Sequence, residues 1–379
     1  MHRRCNDCRG VVVIWLLCTQ CTSGEPARCR KLAPDNSSSV LTSGLGVGER
    51  YVDIVHCGSV SLLISRLQAN LHEFEWVTLA RPFDGARAGR ATPLIPSEWH
   101  MSHNAATVCV NDTLHVFGGQ YRNYTGGRGA TARGVFHSSA SARLRPGEPF
   151  EWSSPTLQLQ GFHKGCIERR PKFAGYCEFD GLFSSVFFKG RFFIYGRANL
   201  SPLNGARHVQ MTSAPADLSN WSPFQVISLS GVKAGRSDAN IYFFHVQLWG
   251  DRLLALFPAV FSAPDSAGIY ATTSIDGIVW TRPERLMRVP AACARTRVHP
   301  VRVLSDAYGD QLVVLKNIDL SEPGDIPAGR THAKGATHPY LQKIRIHVDR
   351  HELLGIDQFT QMISFRVATT AWHDLIVDG

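Results

Sequence analysis

Residues Cys177 to Leu200 read CEFDGLFSSVFFKGRFFIYGRANL. Two runs rich in Phe, Val and Ile flank the polar turn Lys189-Gly190-Arg191. Apolar runs of this length, bounded by turn residues, predict an antiparallel β-hairpin. The pattern recurs. NDTLHVFGG from Asn111, GDRLLALFP from Gly250 and GDQLVVLKN from Gly309 each place a polar turn before an apolar strand. AATVCV, IYFFHVQ and VRVLSD supply the strands before those turns, as LFSSVFF does before Lys189. Helical periodicity is nearly absent, so the chain reads as all-β.

A tryptophan follows most of these hairpins, ahead of an outgoing strand. FEWSSPTLQL holds Trp152, DLSNWSPFQVISL holds Trp221 and DGIVWTRPERL holds Trp280; FEWVTLARP holds an earlier Trp76. The steps between positions 76, 152, 221 and 280 are 76, 69 and 59 residues. Each step is close to one four-stranded sheet with its loops, the signature of a β-propeller. The four tryptophans then mark the outer hairpins of four blades, and the stretch from His299 to about Thr370 supplies a fifth. The expectation is an all-β, five-bladed propeller of four-stranded antiparallel blades. Its first blade would take only outer strands from Tyr51 to Pro82, with C-terminal residues completing it.

Composition fits this class. The chain has 379 residues, 44% hydrophobic and 19% charged, with a formal net charge of +9. Such a chain can bury a large core and is neither disordered nor collagenous. No zinc-finger, RNA-recognition or basic-helix signature accompanies the charge, so nucleic acid is not an expected partner. A basic surface suits an acidic partner such as an anionic polysaccharide. Arg3 and Arg4, the apolar run Val11 to Cys18 and the small residues of TQCTSG read as a signal peptide over residues 1–24. An apolar run of this length is too short to span a bilayer, which needs about 20 residues. The expected product is a secreted monomer without a membrane span, with a poorly ordered lead at 25–48 and the propeller at 49–379. Secretion permits disulfides among Cys29, Cys57, Cys109, Cys166, Cys177 and Cys293. Cys166 with Cys177 is the best local bridge; the other pairings stay open. Sequons stand at Asn36, Asn111, Asn123, Asn199 and Asn220.

TSIDGIVW, from Thr273 to Trp280, and TSAPADLSNW, from Thr212 to Trp221, resemble turns of propeller glycosidases. The similar groups are the arabinanases and xylosidases and the invertases and fructanases; the first turn also approaches the sialidase Asp-box. Asp276 and Asp217 are expected to accept backbone hydrogen bonds within their turns. The resemblance implies five blades around a central pocket, with catalytic acids where inner strands begin. It places the proton donor at Glu178, whose E-F-D-G-L is similar to the arabinanase E-G-P-x-L, with Asp180 on the same strand face. Repulsion between the two would raise one pKa, which suits a proton donor. Sugar binding and an ion pair with Arg197 or Arg169 are the other readings of Glu178. The second carboxylate is open among Asp180, Asp53 and Asp238. His103 and Asn104 stand where the resembled enzymes place an acid in the second blade.

His163, Arg169, Arg197, Asn199, Arg207, Asp238 and His299, with His103 and Asn104, form the candidate substrate-binding set. Paired guanidinium contacts suit carboxylated or sulfated sugars. No H-E-x-x-H spacing appears, so zinc is not expected. No cofactor is expected, and an axial calcium near His299 follows from the resemblance alone. The sequence thus reads as a secreted glycoside hydrolase-like protein acting on a glycan or polysaccharide with acidic groups. The alternative is a non-catalytic propeller that binds a glycan or a protein.

Overall fold

The computed structural model describes residues 40–41, 45, 49–70, 75–83, 89–96, 99, 101–102, 105–120, 134–141, 150–160, 165–169, 182–201, 206–234, 240–261, 266–289, 298–306, 309–319, 337–349 and 364–367. The signal-peptide reading of residues 1–24 lies outside them. Among the described residues, no helix is long and apolar enough to cross a membrane.

A short strand, β1 (Val40–Leu41), precedes a series of antiparallel meanders. The first holds β2 (Glu49–Cys57), β3 (Val60–Asn70), β4 (Glu75–Pro82) and β5 (Thr92–Pro93). The second holds β6 (Ala106–Val110), β7 (Thr113–Gln120), β8 (Gly134–Ser141) and β9 (Thr156–Gln160). The third holds β10 (Ser184–Phe188), β11 (Arg191–Asn199), β12 (Arg207–Pro215) and β13 (Gln225–Val226). A short strand β14 (Ser228–Leu229) then leads to the fourth meander. Its inner edge is split into β15 (Asn240–Ile241) and β16 (His245–Trp249), both on β17 (Arg252–Val260). β18 (Gly268–Ser274) follows; β19 (Val279–Trp280) pairs in parallel with β14, and β20 (Glu284–Arg288) forms the outer edge.

Turn chemistry sets these hairpins. Asn111 and Asp112, with φ of 48° and 59°, make a two-residue turn with both centres left-handed, as do Lys189 and Gly190 at 48° and 75°. Such turns match the twist of the strands that they join.

The last sheet departs from this plan. β21 (Val298–Asp306), β22 (Gly309–Asp319) and β23 (Thr337–Asp349) form a meander, but β24 (Ser364–Val367) and β1 share the outer edge of β23. β24 pairs with Ile346–Asp349, while Val40 and Leu41 pair with Gln342 and Leu341. The expectation of five equal four-stranded blades is therefore corrected: there are four regular blades, and the remaining sheet is a five-stranded composite that draws on both ends of the described chain. A second correction concerns the first blade. Residues 49–82 supply its inner strands β2 to β4, and among the described residues no C-terminal strand joins it. Trp76 is also not the equivalent of the other tryptophans. It lies at the start of the third strand, paired with Gln68, rather than in the connection between third and fourth strands.

The innermost strands β2, β6, β10, β16 and β21 stand side by side around a central axis. Apolar clusters fill the gaps between adjacent sheets. Val55, Leu62, Leu114 and Val116 join the first blade to the second. Phe117, Leu159, Phe183 and Ile194 join the second to the third, and Tyr195, Phe244, Phe257 and Trp280 the third to the fourth. Leu254, Ile269, Val303 and Leu312 reach from the fourth to the last sheet, and Val52, Ile54, Val301 and Val313 from there back to the first. The tryptophans each reach backward by one sheet. Trp152 Nε1 donates to the Leu94 carbonyl at 2.7 Å, Trp221 Nε1 donates to Gln158 Oε1 at 3.1 Å, and Trp280 packs edge-on to Tyr195.

The aspartate turns are structural, as expected. Asp276 Oδ1 accepts the N–H groups of Ile278 and Val279, both at 2.8 Å, and Asp217 Oδ1 accepts that of Ser219 at 3.1 Å. Gly277, at φ +81°, lies where a Cβ would come within 2.7 Å of the Tyr195 hydroxyl.

A disulfide joins Cys57 at the end of β2 to Cys109 in β6, bridging the first and second blades. Cys166 is also disulfide-bonded; its expected partner Cys177 lies outside the described residues.

Candidate functional site

The strand starts define the upper end of the axis. β2 reaches it irregularly: a bulge falls between Arg50 and Asp53, and Tyr51 takes a φ of 52°. Left-handed backbone is unusual for a bulky residue, and bulges re-aim side chains. Asp53 here lines an axial pocket with Tyr51, Arg66, Thr107, Ser185 and His245. The space between them is about 20 Å³, enough for one water. These residues form a floor. Residues 103–104, 170–181, 235–239 and 290–297, which precede inner strands in the sequence, lie outside the described residues.

Asp53 keeps a side-chain exposure of 21%, and its Oδ1 lies 3.4 Å from His245 Nε2. Oδ1 also accepts the Ile54 N–H at 2.7 Å. Burial lowers the His245 pKa; Asp53 opposes the shift and Arg302 adds to it. Arg66 is buried, and desolvation brings its pKa down to about 10 against the pull of Tyr51 and Asp53. It therefore stays cationic at neutral pH. The floor thus presents one water-reached carboxylate beside a fixed positive charge and a neutral imidazole.

An aromatic arc runs along the upper rim. Arg197 and Arg207 both stand over Tyr242, at 5.2 and 5.4 Å from its ring centre. Tyr242 meets Phe243 edge-on, Phe243 meets His299, and His299 stacks on Tyr51 at 5.8 Å. Arg66 closes the series over the Tyr51 ring. The break between β15 and β16 at Tyr242–Phe244 is what admits these rings.

The predicted site residues fall into separate groups. Glu178, Asp180, His103, Asn104, His163 and Asp238 lie outside the described residues. Arg197 and Arg207 converge on Tyr242. Asn199 is buried and donates from Nδ2 to Glu168 Oε2 at 2.6 Å, so the folded chain seals its sequon. Arg169 is exposed, and its backbone N–H donates to the Asn199 carbonyl. His299 stacks on Tyr51 and meets Phe243 edge-on.

The axial calcium implied by the resemblance does not fit this floor. Calcium takes six to eight oxygen ligands, whereas Asp53 is flanked by His245 and Arg66. Among the described residues, no three His, Cys, Asp or Glu side chains converge on a metal position.

Tyr51, Arg66 and His245 were not among the sequence-predicted residues, yet a signal existed for His245. Asp53, Ala106, Ser184, His245 and Arg302 each pair four places before the last pair of their hairpin. Each also lines the axis. Four of these five residues are polar, and a polar residue at that offset in an apolar strand marks the axial ring.

No sequence-family model matches the chain, and no curated protein sequence matches it. Solved structures do. A thermostable family-43 glycoside hydrolase superposes with a TM-score of 0.54 at 11% identity, covering 87% of this chain and 95% of that one. A second structure, described as a glycoside hydrolase, gives a TM-score of 0.52 at 11% identity over 81% of this chain and 90% of that one. At such identity the likeness concerns architecture: the chain is a propeller similar to those of glycoside hydrolases, with four regular blades rather than the five equal ones that the turns had suggested.

Proposed function

We propose that the upper axial site binds a carbohydrate and that the protein is a secreted glycoside hydrolase-like enzyme. The observation that carries this reading is Asp53, a water-reached carboxylate on the axis just after the bulge of the first inner strand. Glycoside hydrolysis needs a proton donor and a second carboxylate that activates water or attacks the sugar. In this reading Asp53 is the second carboxylate. Glu178 is the donor, and Asp180 tunes it. Arg197 and Arg207 hold an acidic group of the glycan against the Tyr242 face, so the reading predicts a preference for anionic sugars.

The test is a glycan array followed by turnover assays on every ligand that binds. Asp53→Asn and Glu178→Gln should each keep binding and lose about 100-fold or more in rate. A wild-type protein that neither binds nor cleaves any glycan on the array would sink the reading. The second reading, a non-catalytic glycan receptor, is favoured by His103 and Asn104 in place of the second-blade acid. It predicts binding by the wild type, no turnover on any substrate, and weaker binding by Asp53→Asn.

A further inference from the structure

The inner strands end in a second cavity, at the opposite mouth of the axis. Its volume is about 380 Å³, within the range of small-molecule sites. Val186, Phe187 and Leu248 give it apolar walls, and Leu248 stays 53% exposed at the rim. No aspartate or glutamate stands among its described lining residues, whereas Arg302 does.

Arg302 is half-buried and anchored. Its Nη1 donates to the Ile54 carbonyl, and its Nε makes no hydrogen bond. Among the described residues no carboxylate pairs with it. His56, on the same wall, bonds through Nδ1 to Ser61 Oγ at 2.7 Å, and its pKa is lowered first by burial and then by Arg302, with Asp53 opposing the shift. Among its described lining residues the cavity therefore carries a fixed cation and no carboxylate. A guanidinium fixed by one backbone bond is already ordered for a carboxylate, and the apolar walls call for a hydrocarbon body.

We propose that this lower cavity binds a small carboxylic acid with an aliphatic or aromatic body, its carboxylate on Arg302 and its hydrocarbon part against Val186, Phe187 and Leu248. The site opens on the opposite side of the inner-strand ring from the Asp53 pocket, with which it shares Thr107 and Ser185.

Titrating the intact protein with hexanoate, hexan-1-ol and hexylamine, followed by calorimetry, tests this. Hexanoate should bind saturably at one site, hexan-1-ol about tenfold more weakly and hexylamine not at all. Arg302→Gln should weaken hexanoate by about tenfold or more. Leu248→Asp, at an exposed rim position, should weaken it similarly through like-charge repulsion while leaving the fold and any glycan binding intact. Equal binding of hexanoate and hexan-1-ol, absence of saturable binding, or unchanged affinity in Leu248→Asp each overturns the proposal. Should Arg302→Gln fail to fold, Leu248→Asp decides alone.

Discussion

His115 and His137 face each other across β7 and β8, with Nδ1 and Nε2 2.9 Å apart. Phe117 and Phe192 close around them. Burial lowers both pKa values to about 4, and the proximity of His115 lowers that of His137 further. The folded state therefore keeps both rings neutral, while the unfolded chain takes up protons below its ordinary value of 6.5. Their contribution to stability is complete above pH 6.5, falls as pH drops toward 4, and falls no further below that. Thermal melts should show Tm decreasing through this window. His137→Phe, which cannot take up the proton, should make the decrease shallower; an unchanged slope would rule the pair out as a source of acid lability.

Between the third strand and the tryptophan hairpin a polar latch is repeated three times. Ser138 Oγ donates to the Ser153 carbonyl, Thr212 Oγ1 to that of Ser222 and Thr272 Oγ1 to that of Thr281. In return the Ser153, Ser222 and Thr281 hydroxyls accept the N–H groups of Ser139, Ser213 and Thr273 at 3.0, 3.0 and 3.1 Å. Ser222→Ala or Thr281→Val leaves a backbone donor without its acceptor and should cost about 1 kcal/mol each in denaturant unfolding. Gly277→Ala should cost more, roughly 2 kcal/mol, because the left-handed φ and the Tyr195 hydroxyl both oppose the new methyl. These elements were readable in the sequence because they are local: turn residues, strand alternation and the Asp276 turn all act within a few positions. Trp76 misled because its FEW triplet copies that of Trp152 while sitting one strand earlier.

At the scale of the molecule, the sequence hides what distant segments decide. Nothing near Val40 announces that it will pair with Gln342, and nothing near Cys57 announces Cys109. The meeting of Asp53 with His245 likewise depends on blades that lie far apart along the chain. The regular blades were legible from repeated hairpins, whereas the composite closing sheet repeats nothing. The Cys57–Cys109 bridge spans 52 residues, for which chain entropy gives about 4 kcal/mol. A Cys57→Ala, Cys109→Ala double variant should unfold at correspondingly lower denaturant than the wild type, and reduction, which also opens the Cys166 bridge, should bring wild type and variant to one common midpoint. If the midpoints stay equal without reduction, the bridge does not constrain the unfolded chain.

The shared edge of β23 has a consequence for biosynthesis. A ribosome releases Leu41 almost 300 residues before Thr337, the first residue of the strand that β1 must join. Until β21 and β22 emerge, Val52, Ile54 and Leu63 lack the cover that Val301, Val313 and Leu315 supply. The nascent ring waits as an open crescent with one sticky flank, and its final, long-range seam governs how fast the protein matures and how readily it aggregates on the way.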